Sequence, residues 1–278
     1  MYMHSPFRKV RPGSSNKSLE RSWLYRKGLL LKGNTLEIRT DSAFLLDLFR
    51  RVQNGELLPA PFQRPYVWQE ADVLALVDSI LSGFPIGAFM LWFPKDRDVL
   101  LRNHRRRLGP ILGEEKGRPM SLLLDGQNRL ASFAWFTHQS GTLPADLTDL
   151  ERATWDNGKA LVMDLEHKQI CFVPRDEEND GLRLPILAAV DRQFANKLML
   201  KKMGAEWNET APNAYPRETV DAGLDWWDKV FNSFLTARIV VTEMHGTVDE
   251  AIRAFKLMSR AGVPMSEEDF EAAMAWAK

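Results

Sequence analysis

The residues with the most chemistry to offer lie in two polar inserts set among apolar neighbours. In SLLLDGQNRLASFAWF, residues 121–136, a block of Asp125, Gly126, Gln127, Asn128 and Arg129 separates two apolar runs. A strand that turns directly into a helix presents the first helical amides at the positive end of the helix dipole, a corner suited to an anion. Gly126 lets the backbone approach a ligand closely, and Arg129 adds a planar charged fork for phosphate. Asp125 could hold Mg²⁺ or orient a water or hydroxyl. Gln127 and Asn128 carry donors and acceptors for a base, a ribose or a phosphate oxygen. The same five residues also read as an ordinary helix start, with Asp125 the cap, Gly126 the turn and Arg129 a surface charge.

The second insert is LLPAPFQRPYVWQEADV, residues 57–73. Pro59, Pro61 and Pro65 bracket Gln63 and Arg64, and Tyr66 and Trp68 follow, so the segment is an extended, stiffened loop that cannot be helix. Arg64 beside aromatic faces could reach a phosphate, and Tyr66 or Trp68 could stack on a base. Ordinary packing by the two aromatics and a salt bridge at Arg64 is the other reading.

The elements that must position these inserts follow from periodicity. TDSAFLLDLFRRVQNG, from Thr40, places Phe44, Leu45, Leu48, Phe49 and Val52 on one helical stripe ending at Gly55. ADVLALVDSILSGFP repeats the pattern through Val73, Leu74, Val77, Ile80 and Leu81 and stops at Gly83 and Pro85, and a strand IGAFMLWF follows. SLLL reads as a short buried strand. NRLASFAWFTH reads as a helix with Leu130, Phe133, Ala134 and Thr137 on one face. KALVMDL and QICFV flank EHK as a hairpin; Asp164 and Glu166 share a strand face there, and the turn after them predicts solvent exposure.

LPILAAVDRQFANKLMLKKM and GLDWWDKVFNSFL read as helices and ARIVVTEM as a strand, with Trp226 and Trp227 as packing residues. TVDEAIRAFKLMSRAG offers a capping box at Thr247 and Glu250, then Ile252, Phe255 and Met258 on one face, and a last helix starts after Ser266. Strands and helices mix without regular alternation, which predicts an α+β fold: a mixed sheet surrounded by helices.

The composition, 45% hydrophobic and 27% charged over 278 residues with no formal net charge, is that of a globular chain with a substantial core. Zero net charge leaves nucleic-acid binding to local patches. One such patch is residues 1–33, a basic and flexible arm with eight Lys or Arg against the single acid Glu20. Another is the cluster Arg102, His104, Arg105, Arg106 and Arg107. The lone Cys171 excludes an internal disulfide and a thiolate cage and predicts cytoplasmic residence with an inert core thiol. No membrane-spanning run or signal-peptide core is present, so no membrane partner is expected. Phosphate-binding P-loops, zincin, nucleophile-elbow and zinc-finger motifs are all missing.

Taken together, PFQRPYVWQEADVLALVDSILSGFPIGAFML, LLLDGQNRLASF and AFKLMSRAGVPMSEEDF resemble, in order, the three signature blocks of the GmrSD N-terminal family, also known as domain of unknown function 262. The resemblance spans roughly residues 40–275. It implies a ParB/sulfiredoxin-like α+β domain over residues 34–278, and an NTP-binding regulatory module of a prokaryotic DNA-restriction or phage-defence system, with hydrolysis as a further activity. By motif match Asp125, Gln127 and Arg129 carry over as catalytic residues. Gln63, Arg64 and Gly126 carry over as nucleotide-binding residues; on their own chemistry Asn128 and Trp68 are read with them, and Asp125 as a ligand of Mg²⁺ brought with ATP or GTP.

Two positions depart from the family pattern. Asn128 stands where a second Gln is usual, which shortens the amide by a methylene and bears on hydrolysis more than on binding. Ser259 stands where Asn is common. None of His4, His104, His138, His167 and His245 falls in a paired metal-and-base pattern, so the expected nuclease is an HNH-type partner or a domain beyond this chain. The alternative is a non-catalytic ParB-like module that binds DNA through the basic arm or recruits a partner.

Overall fold

The computed structural model describes residues 36–63, 66–103, 107–112, 117–137, 143–145, 147–205, 207–208, 210 and 214–261. The expected basic arm, Arg64 and the helix after Ser266 lie outside them. The central feature is a five-stranded mixed sheet in the order β1-β10-β3-β6-β2. Its strands are β1 (Glu37–Phe44), β2 (Leu57–Pro59), β3 (Ala88–Pro94), β6 (Ser121–Asp125) and β10 (Arg238–Gly246). β1 runs antiparallel to β10 and β3 antiparallel to β6, while β10 with β3 and β2 with β6 are parallel. Pro59, which has no amide to donate, is tolerated because β2 is an edge strand.

At β3 and β6 both faces of this sheet are covered, so these strands read as apolar runs, whereas β10 alternates buried and exposed residues along its first half. On one face Phe89, Leu91, Leu123, Ile239 and Val241 pack against α1 (Leu45–Gln53), α2 (Glu70–Leu81) and α8 (Arg217–Thr236). On the other, Trp92, Leu122, Leu124 and Met244 meet α3 (Asp98–Arg102) and α9 (Val248–Ala261) through Leu100, Ile252 and Phe255. The two faces explain SLLL: Leu123 serves one core, and Leu122 and Leu124 the other.

A small hairpin, β4 (Arg107–Leu108) with β5 (Ile111–Leu112), is tied to α6 (Asp149–Trp155) by Arg107, whose Nη1 lies 3.2 Å from the buried Glu151 carboxylate. A second sheet of three antiparallel strands, β8-β7-β9, comprises β7 (Lys159–Asp164), β8 (Gln169–Pro174) and β9 (Arg183–Pro185), followed by α7 (Arg192–Met203). The β7–β8 hairpin is the one expected around EHK. The capping box at Thr247 is formed, its amide donating to Glu250 Oε2 at 2.8 Å.

Four local expectations are corrected. The helix expected from Thr40 begins at Leu45, because residues 37–44 are captured as a strand by β10, with Thr40 opposite Thr242. LPILAAVDRQFANKLMLKKM is not one helix: β9 pairs its start with β7, a 3₁₀ turn follows, and Asp191 starts α7 by accepting the Phe194 amide at 2.9 Å. NRLASFAWFTH is split into α4 (Gln127–Ala131) and α5 (Ala134–Thr137). Ser132 Oγ donates back to the Asn128 carbonyl at 2.9 Å, a contact that bends helices, and the break falls there. Asp164 is buried rather than exposed, as the hairpin turn folds over its carboxylate, whereas Glu166 is exposed.

Candidate functional site

β6 ends at Asp125, and the chain turns through Gly126, whose φ of +96° places it in the left-handed region. This backbone requires glycine twice over, because a Cβ there would also run into the Phe89 ring of the neighbouring strand. The turn throws Asp125 outward, with its side chain 56% exposed. One helical turn on, Arg129 points back, and its Nη2 donates to Asp125 Oδ2 at 3.0 Å. Its Nη1 donates to the Ile86 carbonyl at 3.0 Å, and its Cζ lies 5.0 Å over the Phe89 ring. The guanidinium is thus held at the cleft wall, with hydrogens remaining after two of its five are used.

The proline-rich segment is stapled to this corner. Gln63 Nε2 donates to the Leu123 and Leu124 carbonyls at 3.1 and 2.5 Å, and the Val67 amide donates to Asn128 Oδ1 at 3.4 Å. Tyr66 Oη lies 2.9 Å from Ser132 Oγ. Since Ser132 gives its own proton to the Asn128 carbonyl, Tyr66 is the donor. Tyr66 is fully buried against Trp155 at a centroid distance of 4.8 Å, so of its two readings packing holds and stacking on a base does not. Burial pushes the Tyr66 phenol well above its ordinary value.

Between the two inserts lies a cleft of about 180 Å³ lined by Gln63, Trp68, Asp125, Gly126, Gln127, Asn128 and Arg129. Seven of the eight residues carried as catalytic or nucleotide-binding therefore line this cleft, although they come from segments some sixty residues apart. Arg64 lies outside the described residues. Gln127 is 6% exposed, so it borders the cleft from within the core.

The helix after Gly126 is only five residues long, so its dipole adds little and the charge available to an anion is that of Arg129. Among the described residues no cluster of three His, Cys, Asp or Glu side chains could hold a metal. A single carboxylate fits Mg²⁺ only in the shared mode, in which phosphates and waters supply most of the ligands.

Three contributors to the site carried no sequence signal of their own: the Ile86 carbonyl, Gly87 and the Phe89 ring. Only the apolar strand pattern and a glycine near a helix stop marked them. A separate cavity of about 320 Å³, lined by Ile80, Phe84, Ile86, Thr236 and Arg238 among others, contains none of the residues expected to bind nucleotide. Cys171 is half-buried in β8; burial, with the nearby Asp164 charge, pushes its thiol up, away from the thiolate a nucleophile needs.

The profile of a family described as GmrSD restriction endonuclease, N-terminal domain, matches residues 45–274, most of the chain. The chain belongs to that family, and so carries a domain of restriction systems. An uncharacterized protein of Methanocaldococcus jannaschii is 33% identical over 102 residues, which are 35% of this chain and 17% of that relative's length. No described helix is long and apolar enough to cross a membrane.

Proposed function

We propose that the cleft between β6 and the proline-rich loop binds a nucleoside triphosphate, ATP or GTP, and that the chain is the nucleotide-responsive module of a cytoplasmic restriction system acting with an HNH-type nuclease. The observation that supports this most is the convergence of two separate polar inserts on a guanidinium that is already fixed at the cleft wall. A prearranged arginine loses little freedom on capturing phosphate, which favours binding.

In this reading Arg129 takes a phosphate oxygen and Trp68 offers a flat face to the base or sugar. Asn128 and Gln63 shape the wall between them, since both are committed to holding the loop to the corner. Mg²⁺ carried by the triphosphate would neutralise phosphate charge, with Asp125 as its protein ligand. Asp125 is the one carboxylate among the described residues lining the cleft, so it is also the group that would orient a water for hydrolysis. At about 180 Å³ the cleft takes part of a nucleotide, because pockets for drug-sized ligands start near roughly 300 Å³. The remainder of the ligand would extend toward solvent.

The test is calorimetric titration with ATP and GTP, with and without Mg²⁺, on the chain and on Arg129→Ala. Loss of one charge-assisted contact should weaken binding by about tenfold or more. Unchanged affinity in a variant whose circular dichroism matches that of the parent would remove Arg129 from the site and the reading with it.

A further inference from the structure

Arg129 owes its orientation to a loop outside the DGQNR motif. The loop after α2 carries two glycines in the left-handed region, Gly83 at φ +69° and Gly87 at φ +86°. At Gly83 an added Cβ would meet nothing within 4 Å. At Gly87 it would land on Nη1 of Arg129, the same nitrogen that donates to the adjacent Ile86 carbonyl. Both positions therefore make the same backbone demand, and only one of them also makes room for a guanidinium.

We propose that Gly87 is a positioning residue of the cleft: its missing side chain opens the channel through which Arg129 reaches the Ile86 carbonyl and so holds its fork toward the ligand. The collision introduced by a methyl group falls on the far end of a flexible side chain. Arg129 would move while the backbone stays, giving up its bond to Ile86 and its seat over Phe89. The fold would survive and the cleft would lose its fixed charge.

The matched pair Gly87→Ala and Gly83→Ala tests this in the full chain, because both variants carry the cost of alanine at positive φ. Phenylglyoxal, which modifies accessible guanidinium groups, reads Arg129 by peptide mass spectrometry without any ligand. Gly87→Ala should raise modification of Arg129 severalfold over both the parent and Gly83→Ala, and should weaken Mg–ATP binding about tenfold. Equal modification of Arg129 in the two variants would overturn the proposal.

Only the ATP arm rests on the proposed nucleotide reading. If the parent itself fails to bind ATP or GTP, that reading fails and the modification arm still decides the placement of Arg129. Should Gly87→Ala not fold, the pair is compared in an Arg129→Ala background by thermal melting. With the colliding group removed, the two glycine changes should become equivalent; if Gly87→Ala stays the more damaging there, the damage does not come from Arg129.

Discussion

Asp125 and Asp164 each terminate a strand, each faces an arginine, and they end in opposite circumstances. Asp125 is 56% exposed, is paired with Arg129 and borders a cleft. Asp164 is 9% exposed in its side chain: it accepts the His167 amide at 3.0 Å, lies 3.1 Å from His167 Nδ1, and has Arg183 Nε at 3.9 Å. The difference is made by the turn that follows. After Asp125 a left-handed glycine carries the chain away into a helix and leaves the carboxylate pointing out. After Asp164 the hairpin folds back over it and uses up its oxygens. One residue type at one kind of position becomes cleft-facing or structural according to the turn that follows it.

Changing the turn itself should have the largest effect. Gly126→Ala sets a methyl group against the Phe89 ring at a left-handed φ, and strain plus overpacking should destabilise the protein by about 3 kcal/mol in urea unfolding. A near-neutral result would mean that the corner is not what aims Asp125.

Next come the two acids. Asp164→Ala takes the buried acceptor from the partly buried His167 amide and should cost about 1–2 kcal/mol while sparing the cleft's ligand affinity. Asp125→Ala should change stability by less than about 1 kcal/mol, as exposed ion pairs do, and should change Mg–nucleotide affinity instead. Reversal of that order would dissolve the contrast.

A similarly small effect at neutral pH concerns the anchor behind the cleft. Tyr66→Phe removes the bond to Ser132 and should cost about 1 kcal/mol. Burial raises the Tyr66 phenol above its ordinary value of 10.0, so the unfolded chain releases that proton first. The contribution is present below that pH and is lost above it, by about 1.4 kcal/mol per pH unit in the parent. Unfolding curves from pH 9 to 11 should fall more steeply in the parent than in Tyr66→Phe, the difference growing toward about 1.4 kcal/mol per pH unit above the phenol's ordinary value; an identical slope in both would place the titrating group elsewhere.

Much of the site was legible because its signals are short-range. A strand, a glycine and a helix start can be read within ten residues, as can the glycine stop of α2 and the capping box at Thr247. The helix start at Thr40 was misread because the fate of those residues is set by β10: Ser42 accepts from Arg238, 196 residues away. Tyr66 stayed open between stacking and packing because an aromatic in a polar loop looks the same whether it faces a ligand or Trp155. Gly87 and the Ile86 carbonyl could not be recognised as parts of the site, since a backbone oxygen has no residue type and a glycine does not declare what it makes room for.

By itself, then, the amino-acid order determined the α+β character of this domain, its family, and which polar groups were gathered into two inserts, because periodicity, turn chemistry and motif spacing act over a few residues. Tertiary structure decided which of those groups face the cleft: Asp125 and Trp68 border it, Tyr66 is withdrawn into the core, and Arg129 is held by a carbonyl from another loop. Exposure and hydrogen bonding depend on what packs against a side chain, and those neighbours come from strands and loops far apart along the chain.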